Sequence, residues 1–377
     1  MAVAFAAAAA LLLNACGSGS TESGDGLPSK VTIGAGYDVT GAASAYGKAN
    51  AEGAQIAIDL AVEDKMLGDS TPTLKLEDTG SEPNQVPEVF QKLARDKEVV
   101  AFAGGTQSSG VSLALPLTER FKLPFVVATA ATPGLLADNE WAFRTTMSNA
   151  IIFGQSLDLA IERFKPQHVG VVFDQANPTL ADTGKIAQKA FNEAGISDVR
   201  LEGFDGASTT DFAPFLTKVS RGDDLDLLVS LATGQAPAQI TSQARKLGID
   251  VPILAQQTIV SPDYLKGAGA AAANSFTVGT YRPELSDTEL SKRFVAAYEA
   301  KYGKQPDQFA GDGFHATWFT LLAIKEADST DREAVREAMA TVTTWDGLPE
   351  TITMKDRDAE WTGIPLEITT DGPKPWQ

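Results

Sequence analysis

The chain has 377 residues, in which 31 Lys and Arg side chains stand against 49 Asp and Glu side chains, giving a formal net charge of -18 at pH 7. A surface of this sign repels phosphate backbones, so the composition argues against nucleic acid as a partner. The single cysteine allows no intramolecular disulfide, and the length predicts two domains, or one large one, that depend on packed cores.

The N-terminus carries the features of an exported protein. Residues 1–13 form an apolar run with the length of a signal-peptide core, too short to span a bilayer, and we predict a signal peptide over residues 1–15. Cys16 follows Ala15 and precedes Gly-Ser-Gly-Ser, which resembles a bacterial lipobox. We therefore expect a lipid on Cys16 and a flexible tether over residues 16–29. The alternative is a plain signal peptide with an incidental cysteine.

From Lys30 onward, short β-branched runs alternate with longer amphipathic stretches, which predicts βαβ units around mostly parallel sheets. In the first block we predict strands at 31–33, 73–77, 99–103 and 125–128, and helices at 46–64, 84–97 and 109–121. A second block follows residues 143–145, with strands at 168–173, 199–204, 226–231 and 252–255, and helices at 150–164, 182–194, 211–220 and 237–247. The sequence thus predicts two successive α/β blocks.

The last third has a different pattern. We predict one strand at 276–281, followed by helices at 288–302, 313–327 and 331–341. Leu290, Phe294 and Tyr298 recur every four residues in the first of these helices, and such a stripe is typical of a face packed on a core.

The motifs of several enzyme classes are incomplete in this chain. Residues 34–36 begin a glycine-rich turn after a predicted strand, but the next glycine, Gly41, comes two positions too late for a dinucleotide fingerprint. Ser108 lacks the glycine two residues earlier that a nucleophile elbow requires. Neither His168 nor His315 has a second histidine or a carboxylate at metal-ligand spacing. We expect no cofactor, no metal and no catalysis.

Several short motifs point to one family. They are residues 37–41, Tyr46-Gly47, Gly53-Ala54, Asp78, residues 104–109, 143–145, 210–212 and 243–248, Ser261-Pro262, residues 294–298 and Tyr302-Gly303. In order and spacing they resemble the solute-binding proteins of branched-chain amino acid ABC importers, over about residues 30–341.

The resemblance implies the type 1 periplasmic binding protein fold, in which two Rossmann-like α/β lobes with parallel sheets are joined by three hinge strands and hold the ligand in the cleft between them. We expect the N-terminal lobe to comprise residues 30–148 and 281–345, and the C-terminal lobe residues 149–280 and 346–377. The implied partners are a small solute and the permease subunits of an ABC importer. We expect a monomer outside the cytoplasm, held at the bacterial cell membrane by its lipid.

The resemblance also implies where a ligand carboxylate binds. In this family a serine hydroxyl and backbone N–H groups bind it, and on this sequence those positions are Ser108, Thr129, Ala130 and Ala131, with Thr132 adjacent. Loops at the carboxyl ends of strands present converging N–H donors, which suits a carboxylate without requiring a cation. Ser108 has a second possible role as the N-cap of a helix.

The second lobe departs from the amino acid pattern of the family. Asn177-Pro178 and Thr233 stand where amino acid binders place tyrosines, and Gln257 stands where the acidic partner of the α-ammonium is found. An amide binds an ammonium much less strongly than a carboxylate does, so we expect a ligand without an α-ammonium. The alternative is that Asp174 or Asp312 supplies the negative charge instead.

Two aromatic residues complete the expected site. Tyr46 and Phe309 fall where the family places aromatic cleft walls, which favours a partly apolar or aromatic solute. The functional hypothesis is a lipid-anchored, non-enzymatic binding subunit of an ABC importer for an amino acid or a related amide or carboxylic acid. The alternatives are a sensor that reports ligand occupancy to a signalling partner and a secreted hydrolase.

Overall fold

The computed structural model describes residues 26–222 and 224–376. The predicted signal peptide, the expected lipid attachment at Cys16 and most of the predicted tether lie outside these residues.

Five parallel strands form the centre of the first sheet, in the order β2-β1-β3-β4-β5. They are β1 (Lys30–Tyr37), β2 (Thr71–Asp78), β3 (Val99–Gly104), β4 (Phe125–Val127) and β5 (Ala142–Arg144), and the helices between them are α1 (Ser44–Glu63), α2 (Gln85–Arg95) and α3 (Ser108–Phe121). Seven of the eight residues of β1 and all six of β3 are buried, as expected for strands covered by helices on both faces.

The second block builds another sheet with the parallel order β7-β6-β8-β9-β10. Its strands are β6 (His168–Asp174), β7 (Asp198–Phe204), β8 (Leu227–Leu231), β9 (Ile253–Ala255) and β10 (Ser275–Gly279). Its helices are α4 (Asn149–Phe164), α5 (Pro178–Glu193), α6 (Ala213–Val219), α7 (Ala236–Lys246) and α8 (Pro262–Ala268). Helix α5 begins four residues before the predicted start, because Asn177 caps it by accepting from Thr179 N and Leu180 N and Pro178 is its first residue.

The chain then returns to the first lobe with α9 (Glu289–Tyr302), α10 (Gln308–Ala327) and α11 (Arg332–Thr341). Helix α10 starts before the predicted residue 313 because the Asp307 carboxylate accepts from Ala310 N at 2.9 Å. It packs tightly on α1: a Cβ at Gly53 would lie 1.8 Å from Ala310 O, and one at Gly313 would lie 2.0 Å from Asn50 O. Glycine at these two positions lets the helix backbones approach.

Five short C-terminal strands, which the sequence pattern did not predict, complete both sheets. The strands β11 (Thr344–Asp346), β12 (Thr351–Lys355) and β13 (Asp358–Glu360) extend the first sheet beyond β5. Antiparallel strands β14 (Ile364–Thr369) and β15 (Gly372–Pro375) extend the second sheet beyond β10, so both sheets are mixed. The expected assignment of residues 346–377 to the second lobe is therefore wrong for residues 346–360, because β12 and β13 pair within the first sheet.

The two sheets are connected at residues 145–148, 280–288 and 361–363, called here the first, second and third crossings. The Trp361 indole N–H donates to Thr280 O at 2.9 Å, which fastens the third crossing to the second. Gln155 on α4 bonds to Trp361 O at 2.9 Å and to Gly363 N at 2.7 Å. The expected α/β fold of two lobes joined by three connections is confirmed.

Among the described residues, the helices are all too short or too polar to span a bilayer.

His315 on α10 is fully enclosed beside the turn that joins β11 to β12. Its Nε2 atom accepts from Leu348 N at 2.9 Å, and the rings of Trp345 and Trp361 lie 5.3 and 6.0 Å away between centroids. Because Nε2 must stay unprotonated to accept, the imidazole is neutral, and burial lowers its pKa to about 3. His315 therefore supports the core of the first lobe.

This burial predicts a loss of stability in acid. As the pH falls from 6.5 towards 3, the unfolded chain protonates His315 and the folded protein does not, which costs roughly 1.4 kcal/mol per pH unit. We expect His315→Gln to remove this part of the pH dependence of the free energy of unfolding, measured by urea denaturation at pH 7, 6 and 5.

The other histidine provides the control. Hydrogen bonding to Asp198 raises the pKa of the half-exposed His168, so its proton stabilises the fold at low pH and this contribution is lost as the pH rises through the folded pKa. His168→Gln should therefore make the free energy of unfolding fall more steeply as the pH is lowered. Equal slopes for the wild type and His315→Gln would show that His315 is not held neutral.

Candidate ligand-binding site

The carboxyl ends of β3 and β4 are neighbours in the first sheet, and the loops that follow them meet. Ser108 is the first residue of α3, and its Oγ atom accepts a long hydrogen bond of 3.4 Å from Thr132 N. The N-cap of α3 is Gln107, so Ser108 does not have the alternative capping role. The structure thus brings together two residues that the sequence predicted to share a site.

Residues 128–132 form the loop after β4, called here the ligand loop. Gly105 O accepts from both Thr129 N at 3.2 Å and Ala130 N at 3.3 Å, so these two N–H groups are used within the protein. The expectation that both donate to a carboxylate therefore disagrees with the geometry. Within the described chain, the Ala131 N–H and the hydroxyl of Thr132 have no partner, and the Ser108 hydroxyl serves only as an acceptor.

Arg144 holds the ligand loop from behind, a role that sequence reasoning missed. Its side chain is fully buried, and it forms a two-pronged ion pair with Asp358 at 2.7 and 2.8 Å. Its remaining guanidinium nitrogen donates to Thr132 O at 2.8 Å and to Ala130 O at 3.4 Å. The carbonyl between them, Ala131 O, accepts from Asn149 N at 2.8 Å, at the start of α4. The available signal was a charged residue at the end of the short buried strand β5.

The two expected aromatic wall residues lie against each other. The rings of Tyr46 on α1 and Phe309 on α10 are 4.4 Å apart between centroids, and Tyr46 is 39% exposed. The packing of α1 on α10 brings them together. Asn50 links the pair to the ligand loop, because its side-chain nitrogen donates both to Phe309 O at 2.7 Å and to Thr129 Oγ1 at 2.8 Å.

The second-lobe candidates lie at the carboxyl ends of β8 and β9. Thr233 is exposed in the turn before α7, and Gln257 opens a short 3-10 turn. The Oε1 atom of Gln257 is buried with no hydrogen-bond partner in residues 26–222 and 224–376. With Gln256 and residues of α4 it lines a cavity of about 10 Å³. No hydrogen bond of the described chain joins Thr233 or Gln257 to the first-lobe candidates.

The two acids considered as alternatives have different surroundings. The Asp174 carboxylate accepts from Ala176 N and Gly206 N, both at 3.0 Å, so it joins the turn after β6 to the loop after β7. Asp312 on α10 is 6% exposed, and burial raises the pKa of its carboxyl well above the ordinary range, while the hydroxyls of Thr129 and Thr146 lower it in part. A carboxyl that tends to stay neutral attracts an ammonium weakly.

A cluster of titratable groups, which sequence spacing did not indicate, surrounds His168. The structure brings ligand atoms of His168, Asp198 and Asp224 within 4.8 Å of one another. Arg200, however, donates to Asp198 and to Asp224, with its Nη1 3.0 Å from Asp224 Oδ1. Because the Arg200 guanidinium already donates to the oxygen atoms of both carboxylates, this donor set does not suit a divalent cation.

A larger cavity of about 400 Å³ lies on the second lobe, away from all these residues. Its lining includes Leu159, Pro365 and Trp376, together with the exposed charged side chains Glu162, Arg163 and Lys165. It contains none of the candidate residues and no buried polar group that would orient a ligand.

The chain is similar to known proteins over most of its length. A family model described as periplasmic binding protein matches residues 30–363. The Leu/Ile/Val-binding protein homolog 3 of Brucella melitensis is 25% identical over 311 residues, which cover 81% of each chain.

Solved structures show the same fold. A leucine binding protein from Thermotoga maritima has a TM-score of 0.77 and 25% identity, covering 92% of this chain and 98% of its own. The substrate binding protein LivJ of Streptococcus pneumoniae, in complex with isoleucine, has a TM-score of 0.77 and 22% identity over the same shares. A solute binding protein of Rhodopseudomonas palustris, in complex with 3,4-dihydroxy benzoic acid, has a TM-score of 0.73 and 18% identity, covering 92% and 95%.

The resemblance inferred from the sequence motifs is thus confirmed by a family match that spans nearly all of the described residues. This chain belongs to the periplasmic binding protein family.

Proposed function

We propose that this protein binds a small carboxylate-bearing solute between its lobes and delivers it to the permease of an ABC importer. The observation that carries the proposal is the convergence of Ser108, Ala131 and Thr132 at the carboxyl ends of two adjacent parallel strands. Their hydroxyl and N–H groups can donate to one anion, and ligands of open α/β sheets bind at this edge. The long bond between Thr132 N and Ser108 Oγ is weak, so a carboxylate can replace it.

The ligands named for the similar structures fit this chemistry. Isoleucine and 3,4-dihydroxybenzoic acid occupy the solute-binding proteins of Streptococcus pneumoniae and Rhodopseudomonas palustris, and leucine is named for one from Desulfitobacterium hafniense. All three compounds carry a carboxylate, and only the two amino acids carry an α-ammonium. The carboxylate is therefore the group that we propose every ligand of this protein to carry. The neutral Gln257 favours a solute without the ammonium.

Binding is proposed to close the lobes about the three crossings without chemical change to the solute. Closure can draw only on the difference in affinity between the open and closed states, so residues of both lobes have to contribute. Ser108 and Thr132 would supply the first-lobe contacts, Tyr46 and Phe309 an aromatic wall, and Thr233 and Gln257 the second-lobe contacts.

A thermal-shift screen tests the ligand class. Leucine, isoleucine, 3,4-dihydroxybenzoate and 4-methyl-2-oxopentanoate, which is leucine with a ketone in place of the ammonium, are compared with their methyl esters. A ligand at 100 times its Kd adds about 2.7 kcal/mol of stability, so we expect 3,4-dihydroxybenzoate and 4-methyl-2-oxopentanoate to raise Tm, each by more than the amino acids do, and the esters to have no effect. Equal shifts from the esters would contradict carboxylate recognition, and shifts from the amino acids alone would contradict the inference from Gln257. The bound compound should be recovered unchanged.

Ser108→Ala tests the proposed contact directly. Because the ligand carboxylate would lose one donor, calorimetry should show binding weakened by roughly 1 to 3 kcal/mol. Ser109→Ala is the matched control, since Ser109 is the exposed next residue of α3 and should change affinity by less than about 0.5 kcal/mol. Equal affinity for the wild type and Ser108→Ala would reject this role of Ser108.

We also propose that Cys16 carries the lipid that holds the protein at the membrane near its permease. Replacing Cys16 by Ser should move the mature protein from the membrane fraction to the soluble fraction of a bacterial host, because a lipid-free tether offers no stable anchor. Mass spectrometry of the N-terminal peptide gives the attached lipid. A wild-type N-terminal peptide whose Cys16 carries no lipid would contradict lipid anchoring.

A further inference from the structure

One side chain on α1 contacts all three first-lobe segments that form the candidate site. Asn50 is fully buried, with 0% of its surface exposed. It lies on the helix face that packs against α10, where Gly313 leaves no Cβ to separate the two backbones. A buried amide is costly unless its donors and acceptor are all bonded, so its partners matter.

Three hydrogen bonds satisfy this amide. Its nitrogen donates to Phe309 O at 2.7 Å, in the aromatic wall, and to Thr129 Oγ1 at 2.8 Å, in the ligand loop. Its oxygen accepts from Thr106 Oγ1 at 3.2 Å, in the loop that leads from β3 to Ser108. Thr106 Oγ1 in turn accepts from Asp38 N at 3.3 Å, beyond the end of β1.

The partners fix the orientation of the amide. Phe309 O is a carbonyl and can only accept, so the Asn50 nitrogen must face it. The oxygen then faces Thr106, whose hydroxyl accepts from Asp38 N and keeps its own hydrogen for Asn50. Neither Thr106 nor Thr129 can shift relative to Phe309 without breaking one of these bonds.

We propose that Asn50 is a positioning residue for the ligand site, holding the loop after β3, the ligand loop and the aromatic wall in one fixed arrangement. The part of this proposal that concerns ligand affinity rests on the proposed function. The part that concerns the arrangement of the free protein does not depend on it.

The test compares two near-isosteric variants with a control. Asn50→Leu removes all three bonds, whereas Asn50→Asp keeps an acceptor for Thr106 and loses both donors. Thr320→Val is the control, because Thr320 is equally buried in the same lobe and its hydroxyl bonds, among the residues that the structure describes, only to Ala316 O of its own helix, at 2.7 Å. Hydrogen exchange of the ligand-free proteins is followed in peptides covering residues 104–109, 127–133 and 305–312.

Each peptide is expected to exchange faster only in a variant that removes the Asn50 hydrogen bond to that segment. Asn50→Leu should speed exchange in all three peptides by about tenfold or more, the change that loss of a buried hydrogen bond produces. Asn50→Asp should speed exchange at residues 127–133 and 305–312 and leave residues 104–109 close to the wild type. Thr320→Val should leave all three unchanged. Wild-type exchange in Asn50→Leu, or the same increase in Thr320→Val, would overturn the proposal.

Ligand affinity gives a second readout, measured on the protein that remains folded in each variant. Calorimetric titration with leucine and with 3,4-dihydroxybenzoate should show about tenfold weaker binding to Asn50→Asp and less than twofold change for Thr320→Val. Unchanged affinity in Asn50→Asp would overturn the positioning role. If the wild type binds neither compound, the proposed ligand class fails, and the exchange pattern alone decides the role of Asn50.

Discussion

The ion pair between the buried Arg144 and the partly exposed Asp358 is the constraint on which most of the candidate site depends. A guanidinium with no exposed surface is tolerated only when its charge is paired and its donors are bonded, and here one carboxylate and two carbonyls do both. The two carbonyls belong to the ligand loop, and Asp358 belongs to β13. One side chain therefore fixes the shape of the loop, the end of β5 and the strand that extends the first sheet.

The ligand loop is held from two sides. Arg144 and Asn149 N bind its carbonyl groups on the side of the first crossing, and Asn50 and Gly105 O engage Thr129 on the side of the core. The groups left over are the Ala131 N–H and the hydroxyls of Thr132 and Ser108. For the proposed ligand, such a site would require little rearrangement in the first lobe, and the entropic cost of binding would fall mainly on the approach of the second lobe.

The sequence predicted what local physics determines. The buried strands of both blocks are continuous apolar runs, and the adjacency of Ser108 and Thr132 follows from the rule that carboxyl ends of neighbouring parallel strands share one edge. Strands β11 to β15 are only three to six residues long, and the two pairings that attach them to the central sheets, β13 with β5 and β14 with β10, join positions far apart in the chain. Asn50 gave no signal either, because a polar residue inside a helix reveals its role only when the partners from three other segments are known.

The pairing of β13 with β5 and of β14 with β10 also sets the order in which the molecule can fold. Arg144 and Asp358 are separated by 214 positions, and β10 stays an unpaired sheet edge until residues 364–369 arrive. Neither lobe is a continuous segment, so neither can finish folding before nearly the entire chain is available. Such contacts between distant positions make folding slow and expose strand edges in the meantime, which makes a chain shortened by even its last 20 residues prone to aggregation.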